Sequence, residues 1–236
     1  LWAAELAARR GAVVIGLVGS ADKVKVFEDR ILPLSPRSSA MIRGAEGTFH
    51  TRLATLLSHV HDCTIPSDIP MNRRLSYLRE KEKGVDIVME SLGGQYFTGS
   101  LEALNRGGSL VTFGSTSYVN PGLHINKIRL IWRYLTRPRI DPGILTSRNI
   151  QLAGFNLIYL TDKPEELRRE LRDLICCLNG MAGGEATTSN SVLLDGVTPP
   201  IIGDVFDFRT GAIQALERLK SGKTVGKVVL DNSYNK

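Results

Sequence analysis

Two short clusters of glycines and small hydroxyl residues could hold a small ligand. Each follows a run of apolar residues that is typical of a buried strand. Glycines let a ligand approach the backbone closely. In open α/β sheets, ligands bind beyond the carboxyl ends of the strands, where these clusters would lie. The first consists of Ser91, Leu92, Gly93 and Gly94, and the second of Gly114, Ser115 and Thr116.

A third apolar run, residues 12–18, ends without an acidic residue, and this indicates which dinucleotide a site here would accept. Sites that prefer NAD usually place Asp or Glu at this strand end to bind the ribose 2′-hydroxyl. Here Ser20 and Lys23 follow the strand, with Asp22 in the turn. A hydroxyl and a cation favour a 2′-phosphate and hence NADP(H). The alternative is a solvated turn in which Ser20 and Asp22 cap the next helix.

The elements that must position these residues alternate between apolar strands and amphipathic helices. Residues 84–116 have the pattern strand, glycine turn, helix, strand, and two parallel strands joined in this way need a right-handed crossover. This alternation predicts an α/β fold with a Rossmann-type doubly wound parallel sheet. Further strands are predicted at 149–155, 205–208 and 225–230, and helices at 24–29, 70–82, 123–135, 163–178 and 210–220.

Residues 30–61 do not fit the alternation. Their Pro, Ser and Gly content is typical of a loop, with one or two amphipathic turns between Leu53 and Val60. Because loops longer than about 15 residues are uncommon in compact domains, we interpret this stretch as an atypical insert or an error in the gene sequence. Residues 63–66 are predicted to form a short strand near a sheet edge, since Pro66 lacks a donor.

Composition excludes several classes of protein. The 236 residues carry a net charge of +6 with acidic and basic side chains interspersed, which argues against a nucleic-acid partner. No apolar run approaches the roughly 20 residues of a membrane span, and no signal peptide is visible. The three cysteines make no disulfide framework, so a reducing cytoplasm is expected. A metal site at His59, His61 and Cys63 is disfavoured, because no second cluster of ligands accompanies them.

The order of these pieces resembles the medium-chain dehydrogenase/reductases, in their zinc-independent, quinone-oxidoreductase-like and VAT-1-like branch. The resemblance covers the chain apart from residues 30–61 and 180–200. No single motif identifies the family; the order and spacing of several matching segments do. The segments that carry it are residues 84–94, 110–114, 137–142, 149–155 and 222–230.

The resemblance implies a function and the residues that serve it. Members of the branch typically reduce quinones or enones with NADPH, so we expect hydride transfer from that cofactor to a small molecule. Ser20 and Lys23 would meet the adenosine 2′-phosphate, and no catalytic acid or base is named. Ser91, Leu92 and Gly93 would pack the cofactor, and Phe113, Gly114, Ser115 and Thr116 would line its nicotinamide side. A homodimer is left open as the assembly.

The chain departs from the family pattern at its start. It opens inside a helix, so we expect a fragment that lacks the first, central strand of the sheet, its glycine-rich turn and the GroES-like domain. We assign residues 1–200 to a partial dinucleotide-binding domain. Residues 201–236 form a C-terminal segment whose strand would return to the GroES-like domain. Unpaired strands would leave the chain unstable alone. Ser67 stands about where related enzymes often place a Tyr beside the adenosine phosphate.

Three other interpretations stay open. The chain could be a non-catalytic nucleotide-binding or interaction module that uses the same fold. A methyltransferase-like fold would place an acid at the end of the second strand, where Val18 stands instead. An inactive truncated product would account for the abrupt start and for residues 30–61.

Overall fold

The computed structural model describes residues 1–44, 46–114, 131–132, 134–178, 198 and 200–232, without the side chains of 174–178. Its helices and strands alternate along the chain, which confirms the α/β fold class. In chain order they are α1 (Trp2–Arg9), β1 (Ile15–Val18), α2 (Ala21–Ile31), β2 (Ser39–Ile42), α3 (Phe49–Val60), α4 (Arg74–Glu80), β3 (Val85–Glu90), α5 (Gln95–Ala103), β4 (Leu104–Thr112), α6 (Gly143–Arg148), β5 (Gln151–Gly154), α7 (Pro164–Leu178), β6 (Ile202–Asp207), α8 (Ala212–Lys220) and β7 (Lys227–Asp231).

The strands form three parallel groups in two compact units. Unit 1 joins Leu1–Ala45 to Lys163–Lys236 and holds the pairs β1-β2 and β6-β7. Unit 2 is Glu46–Asp162 and holds the three-stranded sheet β3-β4-β5. Every pairing is parallel, as predicted. The domain boundary at residue 200 stays a prediction.

Unit 1 is organised around a buried carboxylate. Glu5 on α1 is fully buried, and its Oε2 accepts a hydrogen bond of 2.7 Å from Arg30 on α2. Its Oε1 accepts hydrogen bonds from Arg9 (3.0 Å), the Thr198 amide (3.0 Å) and the Thr198 hydroxyl (3.1 Å). Burial raises the pKa of the Glu5 carboxyl, but the hydrogen bonds from Thr198, Arg30 and Arg9 outweigh it, so the pKa lies below its ordinary value. The Glu5 carboxylate on α1 thus connects both α1 and α2 to Thr198.

Beside this cluster, α1 and α2 pack on the β1-β2 pair through an apolar core. Ala8, Phe27 and Ile31 are buried there, with Val14 and Ala40 packed against them. A Cβ atom on Gly16 of β1 would lie 2.6 Å from the Phe27 ring, so only glycine allows α2 to approach this closely.

Unit 2 packs one face of its sheet on helices. Leu104, Leu110 and Ile150 form the buried core, with Val88 and Phe97 against it. Alternate residues of β3 point the other way, because side chains alternate across a strand, and Ile87 and Met89 are exposed by 72% and 58%. The helices α3, α4 and α5 pack together through buried Leu53, Leu57, Leu75 and Leu78 and the edge-on ring pair Phe49–Tyr96.

Two predictions about residues 30–66 are wrong. The supposed loop contains the end of α2, all of β2 and the twelve-residue helix α3, whose Leu53, Ala54 and Leu57 are buried. Residues 63–66 form no strand. They continue from the capped end of α3, where the Cys63 amide donates to Ser58 O (2.8 Å). The strand beside β1 is therefore β2. Its polar first residue and its length of four hid it among Pro and Ser residues.

The other element predictions are largely confirmed. Strands lie within or overlap 149–155, 205–208 and 225–230, and helices cover 24–29, 163–178 and most of 210–220. Residues 71–80 are helical, in a short 3₁₀ turn followed by α4. The helix predicted at 123–135 lies mostly outside the described residues.

The buried ion pair makes a testable prediction about stability. We expect Glu5→Gln to lower the free energy of unfolding at pH 7 by about 3 kcal/mol, because it leaves Arg30 buried without a counter-charge. Because the folded pKa of Glu5 is lowered, its contribution is present above its unfolded pKa of about 4.3 and is lost as the pH falls through the folded value. Urea unfolding at pH 7 and in steps below pH 4 should show the difference between variant and wild type shrinking.

The control is Glu28→Gln, since Glu28 is exposed on α2. It should change the free energy of unfolding by less than about 0.5 kcal/mol. Equal effects of the two substitutions would contradict the role given to Glu5.

Candidate functional site

The carboxyl end of β1 carries a group of basic and hydroxyl side chains, which we call the basic strand end (Gly19, Ser20, Lys23 and Arg43). A Cβ atom built on Gly19 would lie 3.7 Å from Lys23 Nζ and 3.7 Å from Arg43 Nη2. Both cations therefore lie close to the bare backbone of Gly19. Arg43 follows β2 directly, and its amide donates to Val18 O (2.6 Å), which continues the β1-β2 pairing. The strand pairing thus places Arg43 beside the end of β1.

Ser20 begins α2 without capping it through its side chain. It occupies the N-cap position in an extended conformation, but its hydroxyl makes no capping hydrogen bond. The alternative in which the Ser20 hydroxyl caps the helix is therefore wrong. Lys23, in the first turn of α2, donates from Nζ to Gly222 O at 3.2 Å. An anion at this point would meet a hydroxyl, two cations and the positive end of an 11-residue helix.

Arg43 is absent from the site residues predicted from the sequence, because the strand that precedes it lies in the stretch interpreted as a loop. Ser67, which the family resemblance places at about the position of a Tyr in related enzymes, is an exposed turn residue. The residue that follows the strand beside β1 is Arg43, and the signal that could have found it is the four-residue run Ser39–Ile42.

In unit 2, the carboxyl ends of β3 and β4 lie side by side. The Phe113 amide donates to Glu90 O (2.9 Å), so the pairing of the strands continues past their last residues. A Cβ atom on Gly114 would lie 3.1 Å from Ser91 O, which shows how closely the two chain segments approach. Phe113 is 45% exposed. The structure thus brings together the site residues predicted at 91–93 and 113–114, while Ser115 and Thr116 lie outside the described residues.

The strand-end turn (Ser91–Gly94) is held by the side chain of Glu90. Glu90 Oε1 accepts from the amides of Leu92 (2.7 Å) and Gly93 (2.8 Å). Gly94 has φ 59° and ψ −135°, a conformation that only glycine adopts readily, and it starts α5. The only sign of this role in the sequence is an acidic residue at the end of a strand.

A family model for zinc-binding dehydrogenases matches residues 68–230. The chain belongs to this family. Membership confirms the resemblance to the medium-chain dehydrogenase/reductases. The similarity to a VAT-1 homolog, described next, supports their quinone-oxidoreductase-like and VAT-1-like branch. Among the described residues, no group of three or more His, Cys, Asp or Glu side chains is placed to hold a metal ion. The zinc independence inferred from the sequence stays a prediction.

Three similar proteins illustrate the relationship. The rat synaptic vesicle membrane protein VAT-1 homolog is 27% identical over 148 residues, which are 63% of this chain and 32% of that protein. A mycobacterial protein, Rv1454c, complexed with NADPH has a TM-score of 0.58 and 20% identity, covering 97% of this chain and 52% of that one. A mycobacterial quinone oxidoreductase has a TM-score of 0.55 and 21% identity, with coverage of 97% and 52%.

These similarities indicate which fold the chain has and how much of each related protein it covers. The two solved structures share its fold, and their similarity supports the Rossmann-type α/β class. The chain spans about half the length of the solved structures and about a third of the VAT-1 homolog. Among the described residues, no helix is long and apolar enough to cross a lipid bilayer.

The strand-end turn leads to a prediction about stability. We expect Gly94→Ala to lower the free energy of unfolding by roughly 1–3 kcal/mol, because a side chain at this φ and ψ is strained. Gly154→Ala is the matched control. Gly154 also ends a strand of unit 2, has an ordinary φ and would meet no atom within 4 Å of an added Cβ. Urea unfolding of both variants measures the difference, and similar losses would contradict the strain assigned to Gly94.

Proposed function

We propose that this chain is part of an NADPH-dependent oxidoreductase of the quinone or enone reductase type. Its substrate is a small molecule, and its compartment is the cytoplasm. The observation that carries the proposal is the pair of cations, Lys23 and Arg43, that both lie close to Gly19 at the end of β1. That is the strand end at which dinucleotide-binding folds distinguish NADP from NAD.

The residues of the basic strand end suit a phosphate monoester. Lysine and arginine both bind phosphate, the arginine through a planar fork of donors. The Ser20 hydroxyl and the amides at the start of α2 add neutral donors. The acidic residue nearby, Asp22, is exposed within the first turn of α2 and does not stand at the strand end. This arrangement favours the 2′-phosphate of NADPH over the bare ribose of NADH.

The remaining predicted residues would bind the rest of the cofactor. NADPH, when bound, supplies the hydride, and the protein contributes binding, orientation and exclusion of water. Ser91, Leu92 and Gly93 would pack against the cofactor near the sheet. Phe113 and Gly114, with Ser115 and Thr116, would line its nicotinamide side. We assign no acid or base.

We further propose that the dinucleotide site is completed by a strand and glycine-rich turn outside the described residues, so that the chain is a fragment. In support, β1 pairs only with β2, and β3 only with β4, among the described strands. Each therefore has one edge without a partner, and exposed parallel edges are unusual because such sheets are normally continuous and covered.

Cofactor selectivity tests the proposal. We expect Lys23→Met and Arg43→Met each to weaken NADPH binding about tenfold, because each removes a charge-assisted hydrogen bond to phosphate. NADH binding should change less than about twofold. Calorimetric titration of the full chain with both cofactors measures this. Lys25→Met, an exposed lysine on the same helix, removes an equal charge and should leave NADPH affinity nearly unchanged. Equal losses for NADH, or for Lys25→Met, would contradict the assignment.

Turnover tests the reductase itself. With NADPH carrying deuterium on one or the other side of C4, we expect only one of the two labelled forms to deliver its deuterium to the β-carbon of an enone, as mass spectrometry of the saturated product would show. For a quinone, whose hydroquinone product exchanges its O–D with water, the readout is the oxidation of NADPH. Lys23→Met should reduce this rate at NADPH concentrations below saturation. Binding of NADPH without transfer to any of several quinones and enones would favour the non-catalytic nucleotide-binding module instead.

A further inference from the structure

Glu90 is a buried acidic residue with no role in the cofactor binding proposed above. It is the last residue of β3 and is only 4% exposed. It stands at the carboxyl end of the sheet of unit 2, one residue before the strand-end turn. Ligands of open α/β sheets bind at that edge, so a buried acid there is a candidate for binding as well as for structure.

The two oxygens of Glu90 are in unequal surroundings. Oε1 accepts from the amides of Leu92 and Gly93 at 2.7 and 2.8 Å. Oε2 is buried and has no hydrogen-bond partner among the described residues. A buried acceptor without a donor costs free energy comparable to a lost hydrogen bond, and more when it is charged. A donor from elsewhere would therefore be held firmly at Oε2.

The bond at Oε1 restricts what that donor can be. Two successive amides at a glycine turn would otherwise form an anion-binding nest, but a carboxylate of the chain already fills it. A phosphate is thus repelled here, whereas a hydroxyl or an amide NH₂ is attracted. Gly93 and Gly94 carry no side chains, so a ligand can come close to the backbone of the turn.

We propose that Glu90 Oε2 accepts a hydrogen bond from a neutral donor on the nicotinamide nucleoside of the cofactor, either a ribose hydroxyl or the carboxamide NH₂. The inference rests on the proposed function, since it takes NADPH to be the ligand. It makes Glu90 a binding residue as well as the residue that positions the strand-end turn. The same hydrogen bond would make the strand-end turn bind the nicotinamide nucleoside in preference to the phosphates of the dinucleotide.

Glu90→Gln separates the two roles of the side chain. Glutamine keeps the shape and one acceptor oxygen for the Leu92 and Gly93 amides, and it puts an NH₂ donor where Oε2 stood. NADPH is an anion, so loss of a negative charge by itself would tighten its binding. A weakening therefore reports the lost acceptor and not the changed charge.

Calorimetric titration of the full chain with NADPH and with 2′,5′-ADP, which lacks the nicotinamide nucleoside, tests the proposal. We expect Glu90→Gln to raise the Kd for NADPH about tenfold and to leave the Kd for 2′,5′-ADP within about twofold. The control Glu80→Gln changes charge equally at an exposed residue of α4 and should leave both affinities nearly unchanged. The acetylpyridine analogue of NADPH has no carboxamide NH₂. An effect of Glu90→Gln that disappears with the analogue identifies the carboxamide as the donor, and one that persists identifies the ribose.

The possible failures are distinguishable. If wild type binds NADPH and Glu90→Gln binds it equally well, the inference is overturned while the proposed function stands. If Glu90→Gln weakens 2′,5′-ADP as much as NADPH, or only lowers the melting temperature, Glu90 is structural and the inference is again overturned. If wild type binds neither ligand, both proposals fail together.

Discussion

Parallel pairing is the constraint on which the rest of this structure depends. In each parallel group, neighbouring strands end on the same side, so the residues that follow them are collected at one edge. Gly19 and Arg43 meet because β1 and β2 run in the same direction. For the same reason, the turn after Glu90 meets Gly114. The chemistry of the chain is thus assembled by backbone pairing, and the helices hold these edges in place.

Two buried carboxylates show opposite uses of the same group. Both oxygens of Glu5 accept hydrogen bonds, from two guanidinium groups and from the amide and hydroxyl of Thr198. These bonds connect α1 to α2 and to Thr198. Glu90 has one satisfied oxygen and one without a partner among the described residues. A buried carboxylate whose two oxygens are both hydrogen-bonded stabilises the folded chain. One with an unpaired oxygen can accept a further hydrogen bond from a ligand.

The sequence predicted the parts of the fold that local pattern determines. Apolar runs identified β1, β3 and β4, and helical spacing identified α5. It did not reveal β2, because Ser39–Ile42 has only four residues, begins with a polar one and becomes a strand only through pairing with β1. That error hid Arg43. Glu90 is visible in the sequence only as an acidic residue at the end of a strand, because its bonds to Leu92 and Gly93 follow from a turn geometry that residue types alone do not specify.

The discontinuity of unit 1 has a consequence for how the protein is made. Unit 2 is a single stretch, Glu46–Asp162, so all its contacts can form as soon as that stretch has left the ribosome. Unit 1 needs both ends of the chain, and Glu5 waits for Thr198, 193 residues later. During synthesis α1 and α2 therefore spend a long interval with Arg9 and Arg30 around a half-satisfied carboxylate. We expect chaperone dependence and sensitivity to proteolysis to be concentrated in Leu1–Ala45, which precedes unit 2 in the chain although unit 1 is completed after unit 2.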